Sequence, residues 1–424
     1  MRVLIVNTSE NTGGAAVAAN RLKDALNNNG VKAKMLVRDK TTDDITVVKL
    51  PKGLLNHWNF LWERWVIFWN THFSRKHLFE IDIANAGNDI TQLPEFREAD
   101  VIHLSWINQG MLSIKNIRKI VESGKPIVWT LHDLWPATAI CHYAQGCPSF
   151  RTRCHNCRLL PGAGSTNDLS ARVWRYKQAV YAKSNITFVT CSRWLEQQAK
   201  QSALLNGLRV TSIPNPIDTR VFCMKDKQEA RKRLELPLDK RLILFVSQRV
   251  TDVRKGMDYF IDAIDMLVQQ HPEMKDNTGV VILGGHSEEV ADRLALTTYP
   301  LGYVNDEQRI VDVYNSADIF VLPSLEDNLP NTIMEAMACG VPCVGFNVGG
   351  IPEEITHLQN GYVAQYKNTA DLAKGIFWVL VKSDRDLLSK QAVGHVLRNY
   401  SQRSVAMKYS DEYEQALASK HYGI

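Results

Sequence analysis

The stretch Ala317–Gly350 constrains the fold of this chain more than any other part of it. Its first segment, Ile319–Leu322, is a short apolar run closed by a proline, which is typical of a buried parallel strand. In Asn331–Ala338 the apolar residues recur at helical spacing, and Gly340 stops the helix. A second apolar run, Pro342–Phe346, starts the next strand. The stretch therefore predicts a strand–loop–helix–strand unit of an open α/β sheet.

Two acids in this unit mark a candidate ligand site. Asp327 lies in the loop after the first strand, and Glu335 lies on the helix that follows. Open α/β sheets bind ligands beyond the carboxyl ends of their strands, and the free N–H groups at a helix start attract anions. We therefore expect an anionic ligand here, and the alternative is a pair of solvated acids.

Composition allows two domains and excludes several classes of protein. With 424 residues and 45% hydrophobic content, the chain can form two domains that each bury a core. A net charge of +5 does not indicate a dedicated nucleic-acid binder. No segment has the length of a membrane span, and Met1 leads directly into an apolar strand without a secretory signal. We therefore expect a cytoplasmic protein whose eight cysteines are thiols or metal ligands rather than disulfides.

The first half of the chain offers a glycine turn and a histidine. Val3–Val6 is an apolar strand, and Gly13-Gly14 then opens an alanine-rich helix. Glycine lets a backbone approach a phosphate closely, although any tight turn can use such a pair. His132 stands at the carboxyl end of a later predicted strand, which makes it a candidate site residue.

Four tryptophans fall on one face of a predicted helix. Trp58, Trp62, Trp65 and Trp69 lie at i, i+4, i+7 and i+11. Basic residues accompany them, namely Arg64, Arg75, Lys76 and His77. Helices that lie in a membrane surface combine tryptophan with basic residues in this way. Peripheral membrane contact is therefore one interpretation, and packing onto the domain core or against a second copy are the others.

A cysteine-rich insertion, 141–157, follows His132. Cys141, Cys147, Cys154 and Cys157 offer four thiolates, and the last two have the C-x-x-C spacing of a zinc knuckle. We predict a structural zinc ion here, with His142 and His155 as substitute ligands. Free thiols are the alternative.

The second half begins after a segment stiffened by proline. Pro214 and Pro216 bracket Asn215, which halts the preceding strand and predicts a domain boundary. We accordingly expect domains at 1–215 and 216–400, and a final helix at 401–424 that packs on the first domain.

Cations then follow the first strand of the second domain. Arg249 and Lys255 stand between the apolar run Leu242–Val246 and a predicted helix, with Arg254 as a third cation. Two cations at that place would neutralise a diphosphate group.

In their order along the chain, these motifs resemble the retaining glycosyltransferases of family 4, and in particular their capsule and colanic-acid type sub-branch. The similarity covers nearly the whole chain and includes the I-P-N-P-I-D string at 213–218. It implies an α/β protein of two Rossmann-like domains facing a cleft, the GT-B fold, with a C-terminal helix that crosses back to the first domain. One departure concerns the first acid, because the family usually has glutamate where this chain has Asp327, preceded by Glu326.

The resemblance also implies a reaction. A sugar would pass from a UDP- or GDP-sugar to a glycan or lipid-linked acceptor, with retained configuration and without a catalytic metal or other cofactor, in capsular or envelope polysaccharide synthesis. The carried-over roles are diphosphate binding by Gly13, Gly14, Arg249, Lys255, Asn331, Thr332 and Ile333, ribose binding by Glu335, a nucleobase beside Val304, and sugar binding by His132 with Asp327 or Glu326. Two alternatives stay open: a nucleotide-sugar 2-epimerase and a non-catalytic scaffold that binds nucleotide sugars.

Overall fold

The computed structural model describes residues 1–51 and 53–421. The described chain divides into two compact units. Unit 1 comprises Met1–Pro214 together with the chain from Val405 onward, and unit 2 comprises Asn215–Ser404. Residues 422–424 of the predicted final helix lie outside the described residues.

Unit 1 is built on a parallel seven-stranded sheet with strand order β3-β2-β1-β4-β5-β6-β7. The strands are β1 Arg2–Ser9, β2 Lys32–Asp39, β3 Val47–Lys49, β4 Val101–Leu104, β5 Ile127–Leu131, β6 Thr187–Thr190 and β7 Val210–Ser212. The central strands are buried on both faces, which is why they read as continuous apolar runs. Along β1, Leu4 and Val6 join one core cluster while Val3 and Ile5 join another, so the sheet separates two cores.

Three of the first six described helices of unit 1 begin at polar side-chain caps. The six helices are α1 Gly14–Asn28, α2 Gly53–Asn70, α3 Pro94–Glu98, α4 Ile114–Glu122, α5 Leu169–Tyr181 and α6 Arg193–Lys200. Ser113, Asp168 and Ser192 each accept a backbone N–H at the start of α4, α5 and α6. The sequence pattern alone places the start of α5 at Val173, and that start is wrong because Asp168 caps the helix earlier.

Unit 2 repeats the plan with six parallel strands in the order β10-β9-β8-β11-β12-β13. Its strands are β8 Arg241–Arg249, β9 Thr278–Gly285, β10 Thr297–Pro300, β11 Ile319–Leu322, β12 Cys343–Phe346 and β13 Gly361–Ala364. Its helices are α7 Lys227–Arg233, α8 Met257–Gln270, α9 Met274–Asn277, α10 Ser287–Ala291, α11 Glu307–Ser316, α12 Asn331–Ala338, α13 Ile351–Glu354, α14 Thr369–Phe377 and α15 Arg385–Asn399. The sequence pattern predicts a helix from Lys374 to Val381, and that start is wrong because Asn368 caps α14 at an earlier residue. A π-helical turn follows α14 at 378–382.

The last helix, α16 Gln402–His421, contributes to the core of unit 1. Val405, Tyr409 and Tyr413 pack in the same cluster as Val3 and Ile5 of β1. Glu412 of α16 also accepts two hydrogen bonds from Arg209, at 2.6 and 3.0 Å. The predicted fold class, two Rossmann-like α/β domains, is confirmed.

Candidate functional site

The candidate site of unit 2 lies where the strand order of its sheet reverses. The chain runs outward from β8 to β9 and β10 on one side, and from β11 to β12 and β13 on the other. The loops after β8 and β11 therefore diverge at the carboxyl edge of the sheet, which is where open α/β sheets bind ligands. Both loops carry residues that the sequence predicts for the site.

A cation and an acid from these two loops are in direct contact. The Lys255 ammonium donates to Asp327 Oδ2 at 2.6 Å, and the Ser324 hydroxyl donates to the same oxygen at 3.1 Å. Arg254 Nη1 lies 3.7 Å from that oxygen. Burial alone would raise the pKa of Asp327, but Lys255 and Arg254 hold this pKa below its ordinary value. Asp327 is therefore an anion, and a bound phosphate would share the Lys255 ammonium with it.

Two glycines fix the backbone of this pair. Gly256, at φ +75°, follows Lys255, and a Cβ there would stand 1.9 Å from the carbonyl oxygen of Pro323. Gly349, at φ +60°, lies against Asp327 itself, where a Cβ would stand 1.7 Å from the backbone oxygen of that acid. The loops can approach this closely only because both positions lack a side chain. Sequence reasoning missed the role of Gly349, although its signal is the Gly-Gly pair that closes β12.

The helix α12 starts beside the Asp327 loop. Asn331, Thr332 and Ile333 form its first turn, and Asn215 Nδ2 donates to Asn331 Oδ1 at 3.1 Å. The start of a helix favours an anion, and of these three residues Ile333 already donates its N–H to the carbonyl oxygen of Pro330 at 3.0 Å. Glu335 lies one turn further on, largely buried, and its Oε2 accepts from the Tyr314 hydroxyl at 2.6 Å.

The other predicted residues of unit 2 stand on neighbouring segments. Arg249 is the last residue of β8 and its side chain is exposed. The backbone oxygen of Glu326 accepts from Arg254 Nη1 at 3.0 Å, and this hydrogen bond joins the loop after β8 to the loop after β11. Val304 lies between β10 and α11. The Lys255–Asp327 and Arg254–Glu326 contacts thus join predicted residues of the two loops directly.

One buried acid near the pair was not predicted. Both carboxyl oxygens of Glu354 are buried and lack a hydrogen-bond partner among the described residues. Burial first, and then the charges of Asp327 and Glu353, raise the pKa of Glu354 well above its ordinary value. Burial and neighbouring negative charge thus both disfavour the ionised form of Glu354. Its only sequence signal is its place in the turn after Gly349-Gly350.

Unit 1 has an equivalent edge, where the strand order reverses between β1 and β4. Gly13 precedes α1 at φ +89°, a conformation that favours glycine, and Gly14 is the first residue of the helix. His132 follows β5, with Nε2 at 2.9 Å from Ser105 Oγ and Nδ1 at 3.5 Å from Cys191 Sγ. Burial lowers the pKa of His132 to about 4, so the ring is neutral at physiological pH.

A buried chain of charges runs from the residue after His132 to α2. Asp133 Oδ2 accepts from Trp106 Nε1 at 3.0 Å and from His142 Nδ1 at 2.7 Å. The other ring nitrogen of His142 lies 2.6 Å from Asp82, and Arg64 of α2 donates to the second oxygen of Asp82. Burial would lower the pKa of His142, but Asp133 and Asp82 raise it to about 10. Both ring nitrogens of His142 thus have carboxylate partners, and its role as a substitute zinc ligand stays a prediction.

The four insertion cysteines are reduced thiols, and they lie close enough for their charges to interact. Burial, and then the charges of Cys141, Cys157 and Cys147, raise the pKa of Cys154 to about 12. Burial and Cys141 likewise raise the pKa of Cys157 to about 11. Within the described part of the chain, however, no three histidine, cysteine or acidic side chains form a set that could hold a metal ion. The thiols do not fit zinc as they stand, and zinc remains a prediction from their spacing.

The four tryptophans of α2 face outward. Trp58, Trp62, Trp65 and Trp69 are 67%, 53%, 51% and 57% exposed, so the interpretation of this stripe as domain core is wrong. The buried residues of the same helix are Asn56, Glu63, Arg64 and Ile67. The helix thus turns its charges inward and its indoles outward, the reverse of an ordinary surface helix. We call the four indoles the tryptophan face.

Comparison with known proteins agrees with this architecture. The family model "Glycosyltransferase Family 4" matches residues 12–221, and "Glycosyl transferases group 1" matches residues 226–392. In solved structures, HepE from Anabaena in complex with UDP-glucose aligns over 98% of this chain and 100% of its own, with a TM-score of 0.62 and 16% identity. The fold is therefore GT-B. The two models together match most of the chain, which places it among the glycosyltransferases of family 4.

Curated relatives match over shorter stretches. The D-inositol 3-phosphate glycosyltransferase of Acidothermus cellulolyticus is 29% identical over 219 residues, which is 48% of each chain. A second relative, from Campylobacter jejuni, is named N,N'-diacetylbacillosaminyl-diphospho-undecaprenol alpha-1,3-N-acetylgalactosaminyltransferase. It is 30% identical over 185 residues, or 43% of this chain and 47% of the relative. The matched segments thus span about half the length of these relatives.

Proposed function

We propose that this protein transfers a sugar from a nucleotide diphosphate sugar to the hydroxyl of a glycan or lipid-linked acceptor. The observation that carries the proposal is the Lys255–Asp327 pair at the switch point of the second sheet, beside the first turn of α12. A relative that acts on a diphospho-undecaprenol saccharide and a GT-B neighbour that binds UDP-glucose support the two substrate classes.

The proposed chemistry is leaving-group catalysis by fixed positive charge. Lys255, Arg249 and the N–H groups of Asn331–Ile333 would stabilise the nucleotide diphosphate as it leaves the sugar. Gly13 and Gly14 are proposed to approach the same diphosphate. These cations do the work that other enzymes assign to a divalent metal, so we propose a metal-independent reaction.

Orientation of the sugar supplies the second part of the mechanism. Asp327 is ionised and would accept hydrogen bonds from sugar hydroxyls. His132 is neutral, so its ring can both donate and accept. Holding the anomeric carbon against the acceptor would lower the activation free energy by several kcal/mol, as it does for other well-oriented reactants. Glu335 would accept hydrogen bonds from the ribose. We propose that the leaving phosphate assists attack on the same face, which retains the configuration.

A donor screen tests this function directly. The protein is incubated with a panel of UDP- and GDP-sugars, with and without saccharide acceptors, and the release of nucleotide diphosphate is measured together with glycosylated acceptor. Transfer predicts that the two products form in equal amounts. Conversion of the donor to its 2-epimer without an acceptor would indicate the epimerase, and donor binding without any release would indicate a scaffold. A role in capsule or envelope polysaccharide would then follow from the acceptor that is used.

Structural zinc on the insertion remains a proposal. We expect about one equivalent of zinc in protein purified without chelator, bound by Cys141, Cys147, Cys154 and Cys157 after the thiols move together. Replacing Cys154 by serine should remove it, and Cys223→Ser in unit 2 should not. Elemental analysis that finds less than about a tenth of an equivalent in the unchanged protein would count against zinc.

We also propose that the tryptophan face rests on a membrane surface. No helix in the described chain is long and apolar enough to cross a bilayer. An interfacial helix needs only one apolar face, and indoles are suited to the headgroup region.

A flotation assay with vesicles that contain anionic lipid tests this contact. We expect Trp62→Glu/Trp69→Glu to reduce the bound fraction about tenfold or more, because two apolar anchors become anions. Tyr303→Glu, at an equally exposed aromatic residue of unit 2, is the control. Equal flotation of both variants and the unchanged protein would mean that the tryptophan face does not bind lipid.

A further inference from the structure

A second feature of unit 1 lies apart from every predicted site residue. A cavity of about 800 Å³ opens between α4, α5 and α2. Its apolar lining comes from all three helices and includes Val66, Ile114, Val121, Val173 and Val180. A concave, mostly apolar space of this size is typical of sites that enclose a small ligand. We call it the helix groove.

The charges around the helix groove are mostly of one sign. Four cations line it, namely Lys115, Arg118, Arg172 and Lys183, against one acid, Glu122. Arg118 donates to Glu122 at 2.7 Å, one turn further along α4, so that acid is already neutralised. The remaining positive charge favours an anionic group at the mouth of an apolar groove. A ligand that fits both features has a hydrocarbon part and a negative headgroup.

The helix groove and the tryptophan face share helix α2. Val66 lines the groove from α2, between Trp65 and Trp69 of that face. Arg172 of α5 also donates to Asn70 Oδ1 at 3.1 Å, which joins the rim of the groove to the end of α2. Apolar anchors, an apolar groove and a basic rim therefore occur on adjoining surfaces of the same unit. A membrane surface that contains anionic lipid presents the matching chemistry.

We propose that the helix groove binds a single anionic phospholipid. Its acyl chain would lie against the valines of α2, α4 and α5, and its headgroup phosphate would lie at the basic rim. Lys115 and Lys183 approach the phosphate as point charges, and Arg172 offers a planar fork that can bind two of its oxygens. This site is independent of sugar transfer, since none of its residues belongs to the candidate site. It adds a lipid-specific contact to the contact made by the tryptophan face.

Monomeric short-chain lipid tests the groove without a membrane. The full-length protein is titrated by calorimetry with dihexanoylphosphatidylglycerol below its critical micelle concentration. We expect saturable binding of one lipid per chain, at least about tenfold weaker binding of the zwitterionic phosphatidylcholine of the same chain length, and none of glycerol phosphate. Equal binding of the two lipids would overturn the role of the cations. Equal binding of glycerol phosphate would overturn the role of the acyl chain, because the site would then bind anions in general.

Two kinds of variant locate the binding. Ala179 is exposed on α5 and lines the groove, so Ala179→Trp fills it from outside the core. Lys115→Glu/Lys183→Glu reverses the rim. Each should weaken phosphatidylglycerol binding about tenfold or more, whereas Lys374→Glu/Lys390→Glu, at exposed lysines of unit 2, should not. Thermal unfolding confirms that each variant is folded, and Ala182→Trp replaces Ala179→Trp if that variant is not. Unchanged binding in the folded groove variants overturns the proposal.

Discussion

We expect Lys255→Ala to lower the kcat of sugar transfer by about 10²–10³-fold, the loss seen when one fixed donor to a developing oxyanion is removed. The Lys255 ammonium donates to Asp327 at 2.6 Å. Charge that develops on the departing phosphate strengthens its interaction with this cation in the transition state. Because Lys255 interacts more strongly with the transition state than with the bound donor, its loss should lower kcat more than it raises KM.

The ion pair with Asp327 requires a control for structure. In Lys255→Ala the acid still has Ser324 at 3.1 Å and Arg254 at 3.7 Å, so unit 2 should remain folded. Lys232→Ala removes an exposed lysine from a surface ion pair in the same unit and should leave both activity and stability nearly unchanged. The affinity for the free nucleotide diphosphate separates the two roles. A variant that is folded, active and binds the product normally would show that Lys255 only neutralises Asp327.

The sequence was sufficient to predict the positions of site residues that follow directly from the order of the strands. Parallel strands end at one edge of a sheet, so Lys255 after β8 and Asp327 after β11 had to lie near each other once the strand order placed β8 beside β11. The bounds of β11 and α12 followed equally well from apolar runs and from Gly340. Strand and helix bounds of this kind can be predicted from a single sequence because apolar runs and helix-stopping glycines are local signals.

Side-chain direction on α2 could not be predicted in the same way. An apolar stripe at helical spacing normally faces a core, but here Glu63 and Arg64 face inward because Asp82 and the N–H groups of Ile83 and Ala84 provide buried partners. Those partners come from an irregular segment that has no periodic signal. The buried Glu354 was missed for a related reason, since its burial depends on tertiary packing.

We expect Asp82→Asn to lower the free energy of unfolding of unit 1 by about 3–5 kcal/mol, the usual cost of removing one partner from a buried ion pair. Asp82 is fully buried and binds Arg64 through one oxygen and His142 through the other. The amide has the same shape but no charge, so two buried cations lose their shared counterion. Glu63 and Asp133 still face these cations, which keeps the cost within that range. Domains are stable by only about 5–15 kcal/mol, so the midpoint of thermal unfolding should fall markedly.

The pH dependence of this loss identifies the ion pair as its cause. The pKa of His142 is raised to about 10 in the folded protein, so its stabilisation is complete below its unfolded pKa of about 6.5 and is lost as the pH rises toward 10. The difference in unfolding free energy between the unchanged protein and Asp82→Asn should therefore be largest near pH 6.5 and shrink at higher pH. Asp89→Asn, which removes the partner of Lys119 in an exposed ion pair, should cost at most about 1 kcal/mol. A loss at Asp82 that stays constant from pH 6.5 to 10 would mean that hydrogen-bond geometry, and not the charge on His142, accounts for the stabilisation by Asp82.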